Sequence, residues 1–117
     1  DQDMTPNMEM VYELYLRGLK FAPINLYESR ATHFKVIEVD GEQRLLPPFC
    51  TLQGFGETAA RDLIRAREEV AKTNENGKFE TIEELQKLSG LGKKNIELLK
   101  LNGVLDGLRE TDQLTLF

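Results

Sequence analysis

Cysteine and histidine each occur once in this chain, as Cys50 and His33, and there is no long run of apolar residues. One cysteine rules out an internal disulfide and fits a reducing cytosol. One Cys with one His leaves no set of ligands for a zinc cluster. No apolar stretch approaches the roughly 20 residues that span a bilayer. The opening Asp1-Gln2-Asp3-Met4-Thr5-Pro6 is acidic and polar, unlike a secretory signal. The expectation is therefore a cytoplasmic location with no membrane partner. No carboxylate pair, nucleophile constellation or nucleotide-binding loop stands at a usable spacing, so no catalytic residue, metal ligand or cofactor is expected. His33 reads as a surface or packing residue of a strand, Cys50 as a small core filler beside Phe49, and Glu38, Asp40 and Glu42 as the polar end of a hairpin.

What is present is an ordinary globular composition, 40% hydrophobic and 30% charged over 117 residues, enough for one modest core. The net charge of −5 weighs against tight, unaided binding of nucleic acid. Its distribution softens that objection. Asp1, Asp3, Glu9 and Glu13 open the chain with no base among them, whereas Lys87, Lys93, Lys94 and Lys100 face only Glu97.

A repeat organises the second half. Leu52-Gln53-Gly54-Phe55-Gly56-Glu57-Thr58-Ala59-Ala60 is echoed by Leu88-Ser89-Gly90-Leu91-Gly92-Lys93-Lys94-Asn95-Ile96, with the glycine pairs 36 positions apart. Each unit reads as a tight turn feeding a helix. The glycines allow positive φ and close approach, Phe55 and Leu91 tuck into the core, and unpaired N–H groups at the helix start offer an anion site. Two such sites in fixed relation suit the phosphates of a nucleic acid.

Taken in order, Met8, Met10, Val11, Leu14 and Tyr15 predict a short amphipathic helix capped by Thr5 or Asn7, with Pro6 in its first turn and Gly18 at its end. Phe21-Ala22-Pro23-Ile24-Asn25-Leu26-Tyr27 predicts an extended edge strand, followed by a connector at 29–32. A β-hairpin follows, His33–Val39 and Glu42–Leu46 about an Asp40-Gly41 turn, and Pro47-Pro48 stops it. Phe49-Cys50-Thr51 leaves little room for a helix ahead of the first glycine turn. Beyond Gly56, the positions Ala60, Leu63, Ile64, Val70 and Ala71 form one helical stripe, with Arg61, Arg65 and Arg67 mostly off it. Thr81 with Glu84 predicts a capping box opening a helix through Ile82, Leu85 and Leu88. The last helix carries Ile96, Leu99 and Leu101 on one face and ends at Asn102-Gly103.

The glycine units resemble the helix-hairpin-helix family, a DNA-binding element without sequence preference. The resemblance implies that the turns and the first turn of the following helix hold phosphates through backbone amides. Gly54, Phe55, Gly56 and Ala60 match the family pattern, as do Gly90, Leu91, Gly92 and Lys94. Thr58 stands where the family often has lysine and Ile96 where it often has alanine, with Arg61 and Arg65 as substitute cations for the first unit. The expected DNA-binding set is thus Gly54, Phe55, Gly56, Glu57, Thr58, Arg61, Gly90, Leu91, Gly92, Lys93 and Lys94. The plainer alternative is a SAM-type protein-interaction module whose glycine turns never meet DNA.

A wider resemblance runs through Leu16-Arg17-Gly18, the stretch Pro23 to Phe34, Leu46-Pro47-Pro48-Phe49, Ala66-Arg67-Glu68-Glu69 and Gly103-Val104-Leu105-Asp106. In order, these are similar to the C-terminal region of PolC-type bacterial DNA polymerase III alpha subunits. That resemblance implies a non-catalytic part of a DNA-directed DNA polymerase, with duplex DNA and the rest of the polymerase chain as partners. Gln113-Leu114-Thr115-Leu116-Phe117 is similar to the clamp-binding pentapeptide of bacterial sliding-clamp clients, which adds the β sliding clamp. Two leucines and an aromatic suit burial in a groove, and Gln113 suits oriented hydrogen bonds. The expected fold is α+β, with a helix and β-hairpin region over 1–48, a tandem helix-hairpin-helix unit over 49–108, and a flexible tail over 109–117.

Overall fold

The computed structural model describes residues 6–111, an α+β arrangement of four α-helices and one small sheet. Asn7 caps α1 (Met8–Leu16) by accepting the Met10 amide at 2.8 Å. Pro6 lies before this cap rather than in the first turn. Only Val11 of α1 is buried, and Met8, Tyr12, Tyr15 and Leu16 are all exposed. The expected apolar stripe exists, but it is only partly covered: Tyr15 stacks on Phe21 with ring centres 5.5 Å apart, while Met8 and Met10 stay exposed.

The sheet has the order β1-β3-β2, built from β1 (Lys20–Phe21), β2 (Lys35–Val39) and β3 (Glu42–Leu46). β2 and β3 form the expected hairpin, with Asp40 and Gly41 at φ 52° and 82°, both positive as a type I′ turn demands. The strand expected over 21–27 is corrected to a two-residue strand running parallel to β3. Asn25 explains why it stops. Its Oδ1 accepts the amides of Tyr27 and Glu28, and Ser29 Oγ accepts the Asn25 amide at 2.8 Å, so local side-chain bonds wind residues 25–29 into a turn. His33 likewise falls before β2, exposed, with Nδ1 2.9 Å from Thr32 Oγ1.

The second half begins with a single 3-10 turn, η1 (Phe49–Thr51), in place of a full leading helix. Phe49 fills the core and Cys50 is exposed, which reverses the filler role expected of the cysteine. Then come α2 (Glu57–Thr73), α3 (Ile82–Ser89) and α4 (Lys93–Leu101). The buried positions of α2 are Ala59, Ala60, Leu63, Ala66 and Val70, and Ala71 is exposed. The spacing 59, 63, 66, 70 keeps to one side of a 3.6-residue turn. Ala71 lies only about 20° round from the buried Ala60 but falls in the last turn, where residues 71–73 are all exposed. In α4, Ile96 and Leu99 are buried but Leu101 is 85% exposed, because five residues carry it about 140° round from Ile96.

Thr81 caps α3 as expected, accepting the Glu84 amide at 3.0 Å, while Glu84 reaches back to the Glu80 amide at 2.7 Å. The main core gathers Phe49, Phe55, Leu63, Leu85, Leu91 and Leu99, and also takes in Leu26 and Ala31. Packing therefore runs across the 48/49 division. Arg67 reinforces this by donating to the carbonyls of Ser29 and Leu26 at 2.7 and 3.2 Å.

Candidate nucleic-acid interface

The two glycine turns repeat in torsion angles as well as in letters. Gly54 and Gly90 take φ of 89° and 76°, where a side chain would be strained. Gly56 and Gly92 are the caps of α2 and α4, at φ −78°, ψ 169° and φ −76°, ψ 170°. Between them Phe55 and Leu91 are buried, pinning each loop as expected. The Phe55 amide donates to Leu52 O at 3.0 Å. The Leu91 amide donates to Ser89 Oγ, and Gln86 Nε2 closes on Leu91 O, both at 3.2 Å.

Neither glycine cap has a side-chain acceptor to offer the helix it opens. The first paired amides are Ala60 to Gly56 O and Ile96 to Gly92 O, at 3.0 and 3.1 Å. The amides of Glu57, Thr58 and Ala59, and of Lys93, Lys94 and Asn95, meet no acceptor among the described residues. These are the donors a helix start leaves over. A Cβ placed on Gly56, Gly90 or Gly92 would meet nothing within 4 Å, so each of these glycines has open space on its side-chain side. On Gly54 it would meet Leu98 Cδ1 at 3.5 Å, which sets the first turn beside α4.

Charge differs between the two starts. Arg61 is bound to Glu57 one turn back, with Nε to Oε2 at 2.9 Å, so at the first start the arginine is matched by a carboxylate. Arg65 pairs with Asp62 at 3.2 Å and donates to Ser89 O at 3.3 Å, joining α2 to the end of α3. Thr58 is exposed, and Ile96 is buried on the inner face of α4. At the second start Lys93 and Lys94 are exposed and form no ion pair among the described residues, and neither does Lys87. The second turn thus carries two lysines without an ion-pair partner among the described residues, where the first carries an arginine already matched by Glu57. The dipole of α4 adds to the positive end. Next to these lysines lies a shallow groove of about 490 Å³ with Leu98 and Leu101 on its wall. The expected peptide Gln113–Phe117 lies outside the described residues.

Three features were not read from the sequence. Arg67 acts as a strut between α2 and residues 26–29. Tyr27 Oη accepts the Phe79 amide at 3.2 Å. Residues 109 and 110 bond to the start of α3. All three depend on residues more than 20 positions apart, and no local pattern announces such contacts.

Two glycine-capped helix starts with leftover donors, built on one shared core, define a tandem module of repeated helix-opening turns. The chain belongs to the helix-hairpin-helix family, whose motif model matches residues 18–114. It is 42% identical over 110 residues to the PolC-type DNA polymerase III of Clostridium perfringens, a match covering 94% of this chain and 7% of that protein. It is 39% identical over 115 residues to the PolC-type enzyme of Streptococcus pneumoniae strain D39, covering 98% and 7%. With that of Caldanaerobacter subterraneus subsp. tengcongensis it shares 38% over 117 residues, covering 100% and 8%. The chain thus resembles a helix-hairpin-helix region of PolC-type polymerases and spans 7–8% of the length of these relatives.

Proposed function

We propose that this chain is a non-catalytic part of a replicative PolC-type DNA polymerase. It holds duplex DNA by the backbone and ties the polymerase to the β sliding clamp. The supporting observation is the pair of glycine-capped helix starts whose first amides meet no acceptor among the described residues. Phosphate oxygens fit these donors, and a site made of main-chain N–H groups carries no information about base identity. The second turn is the stronger of the two, because Lys93 and Lys94 add charge there while Glu57 offsets Arg61 at the first. The chemistry of polymerisation belongs to other parts of the parent chain, and this part uses no cofactor or metal of its own. Its place of work is the cytoplasm.

The clamp reading rests on side-chain types. Leu114, Leu116 and Phe117 are apolar anchors for a groove, and Gln113 supplies directional hydrogen bonds. Weak DNA binding is then sufficient, since tethering to a ring already on the duplex supplies a high effective concentration.

Titration with a short duplex at low salt tests the DNA reading. Amide resonances at 54–58 and 90–95 shift with any base sequence, and the shifts fade as salt is added. If those resonances stay still, a protein-interaction module takes its place. The exposed Leu101 beside Leu98 favours that second reading. For the tail, deletion of Leu116 and Phe117 abolishes clamp binding and leaves the circular dichroism spectrum unchanged. Clamp binding that survives the deletion removes the assignment.

A further inference from the structure

The segment before the expected clamp peptide is attached to the folded body. Arg109 pairs with Thr81 in a parallel bridge. The Ile82 amide donates to Arg109 O at 2.8 Å and the Glu83 amide to Glu110 O at 3.0 Å. The Glu110 carboxylate lies 3.0 Å from Lys100 Nζ on α4. The amides that the α3 start leaves over are therefore used internally, unlike those of α2 and α4. This helix start is an anchor for the chain's own C-terminal segment.

Only Asp112 separates Thr111 from Gln113. Whatever path the chain takes, two residue steps reach no farther than about 7 Å. A clamp that grips Gln113 is thus brought against the face that carries Thr111. On that face α3 and α4 flank a groove of about 410 Å³, with Ile82 and Ile96 among its apolar lining and Glu83, Gln86 and Lys93 among its polar lining.

We infer that a sliding clamp holding Gln113–Phe117 also seats on the α3–α4 face around Ile82, Glu83 and Gln86. This rests on the clamp reading above. Lys93 belongs both to this groove and to the start of α4, so the second glycine turn is held at a set distance from the ring. The DNA-facing turn is then oriented by the clamp, where a long linker would leave it to wander.

The test is hydrogen exchange of the full chain with and without purified β clamp, repeated on a variant carrying ten Gly/Ser residues between Thr111 and Asp112. The insertion lies beyond the anchored segment, so an unchanged circular dichroism spectrum is expected. In the parent chain, clamp protects residues 82–86 and 96–100 as well as the tail. The insertion removes the first two protections and weakens binding about ten-fold, one decade of affinity. Protection confined to the tail, with affinity indifferent to the insertion, overturns the second contact while the peptide reading stands. A chain that does not bind the clamp at all overturns both.

Discussion

Arg67 and Tyr27 show how much single side chains carry here. The Arg67 guanidinium reaches two carbonyls of the 26–29 turn and lies 6.0 Å from the centre of the Phe49 ring. Burial pulls its pKa below the ordinary arginine value, partly countered by Glu68 and Glu28. It stays charged at neutral pH. Arg67→Ala is expected to cost about 2–3 kcal/mol, the usual worth of hydrogen bonds from a charged donor. Denaturant midpoints by circular dichroism measure this. Tyr27→Phe leaves the Phe79 amide without its acceptor and is expected to cost about 1 kcal/mol by the same measurement.

Two groups give a common pH dependence. Burial raises the Tyr27 pKa, with Glu84 adding to the rise and the Phe79 bond opposing it. The hydrogen bond to Glu110 raises that of Lys100, helped by the charges of Glu110 and Glu97 and opposed by burial. In both cases the folded state holds the proton more tightly than the unfolded chain. The associated stability is complete below the unfolded pKa values, about 10 for both types, and is lost as pH rises through the folded ones. Midpoints measured at pH 8 and pH 11 are expected to fall, and less steeply in Glu110→Gln. An equal fall in that variant assigns the effect to Tyr27 alone.

Among the elements, the two glycines of each turn have different tasks that substitution separates. Gly90→Ala forces a side chain into a positive-φ conformation and is expected to cost about 1–2 kcal/mol. Gly92 has ordinary torsions and open space beyond its Cα. In Gly92→Ala the loss of a good cap residue and the stiffer unfolded chain oppose each other, leaving stability within about 0.5 kcal/mol of the parent. Its new methyl group nevertheless fills open space beside the amides proposed to hold a phosphate. DNA affinity is therefore expected to fall in Gly92→Ala without loss of fold, as read by anisotropy of a labelled duplex. Unchanged affinity shows that the second turn does not meet DNA.

For the molecule as a whole, the charge balance makes the proposed DNA contact electrostatically thin. With a net −5 and only two adjacent lysines at the second turn, binding is expected to be weak and strongly salt-dependent. Replacing Lys93 and Lys94 together by alanine is expected to flatten the slope of log K against log salt by about two. Arg61→Ala is expected to change the slope little, because Glu57 already neutralises that arginine. Equal effects of the two replacements contradict this ranking of the two turns.

The turns, caps and helix starts were legible in the letters because each is decided within three or four residues. Asp40-Gly41, Thr81 with Glu84, and the paired glycines act on their own neighbours, and the structure repeats them as read. The strand expected through Pro23 was misread because Asn25 and Ser29 offered the backbone a competing set of bonds. Cys50 and Leu101 were misplaced because burial depends on which elements arrive from elsewhere. Tertiary structure alone set the first turn beside Leu98, tied Arg67 to residues 26–29, and fastened residues 109–110 to the start of α3. Local geometry can be written in a short run of residues, whereas contacts across dozens of positions exist only once the core has closed and brought their partners together.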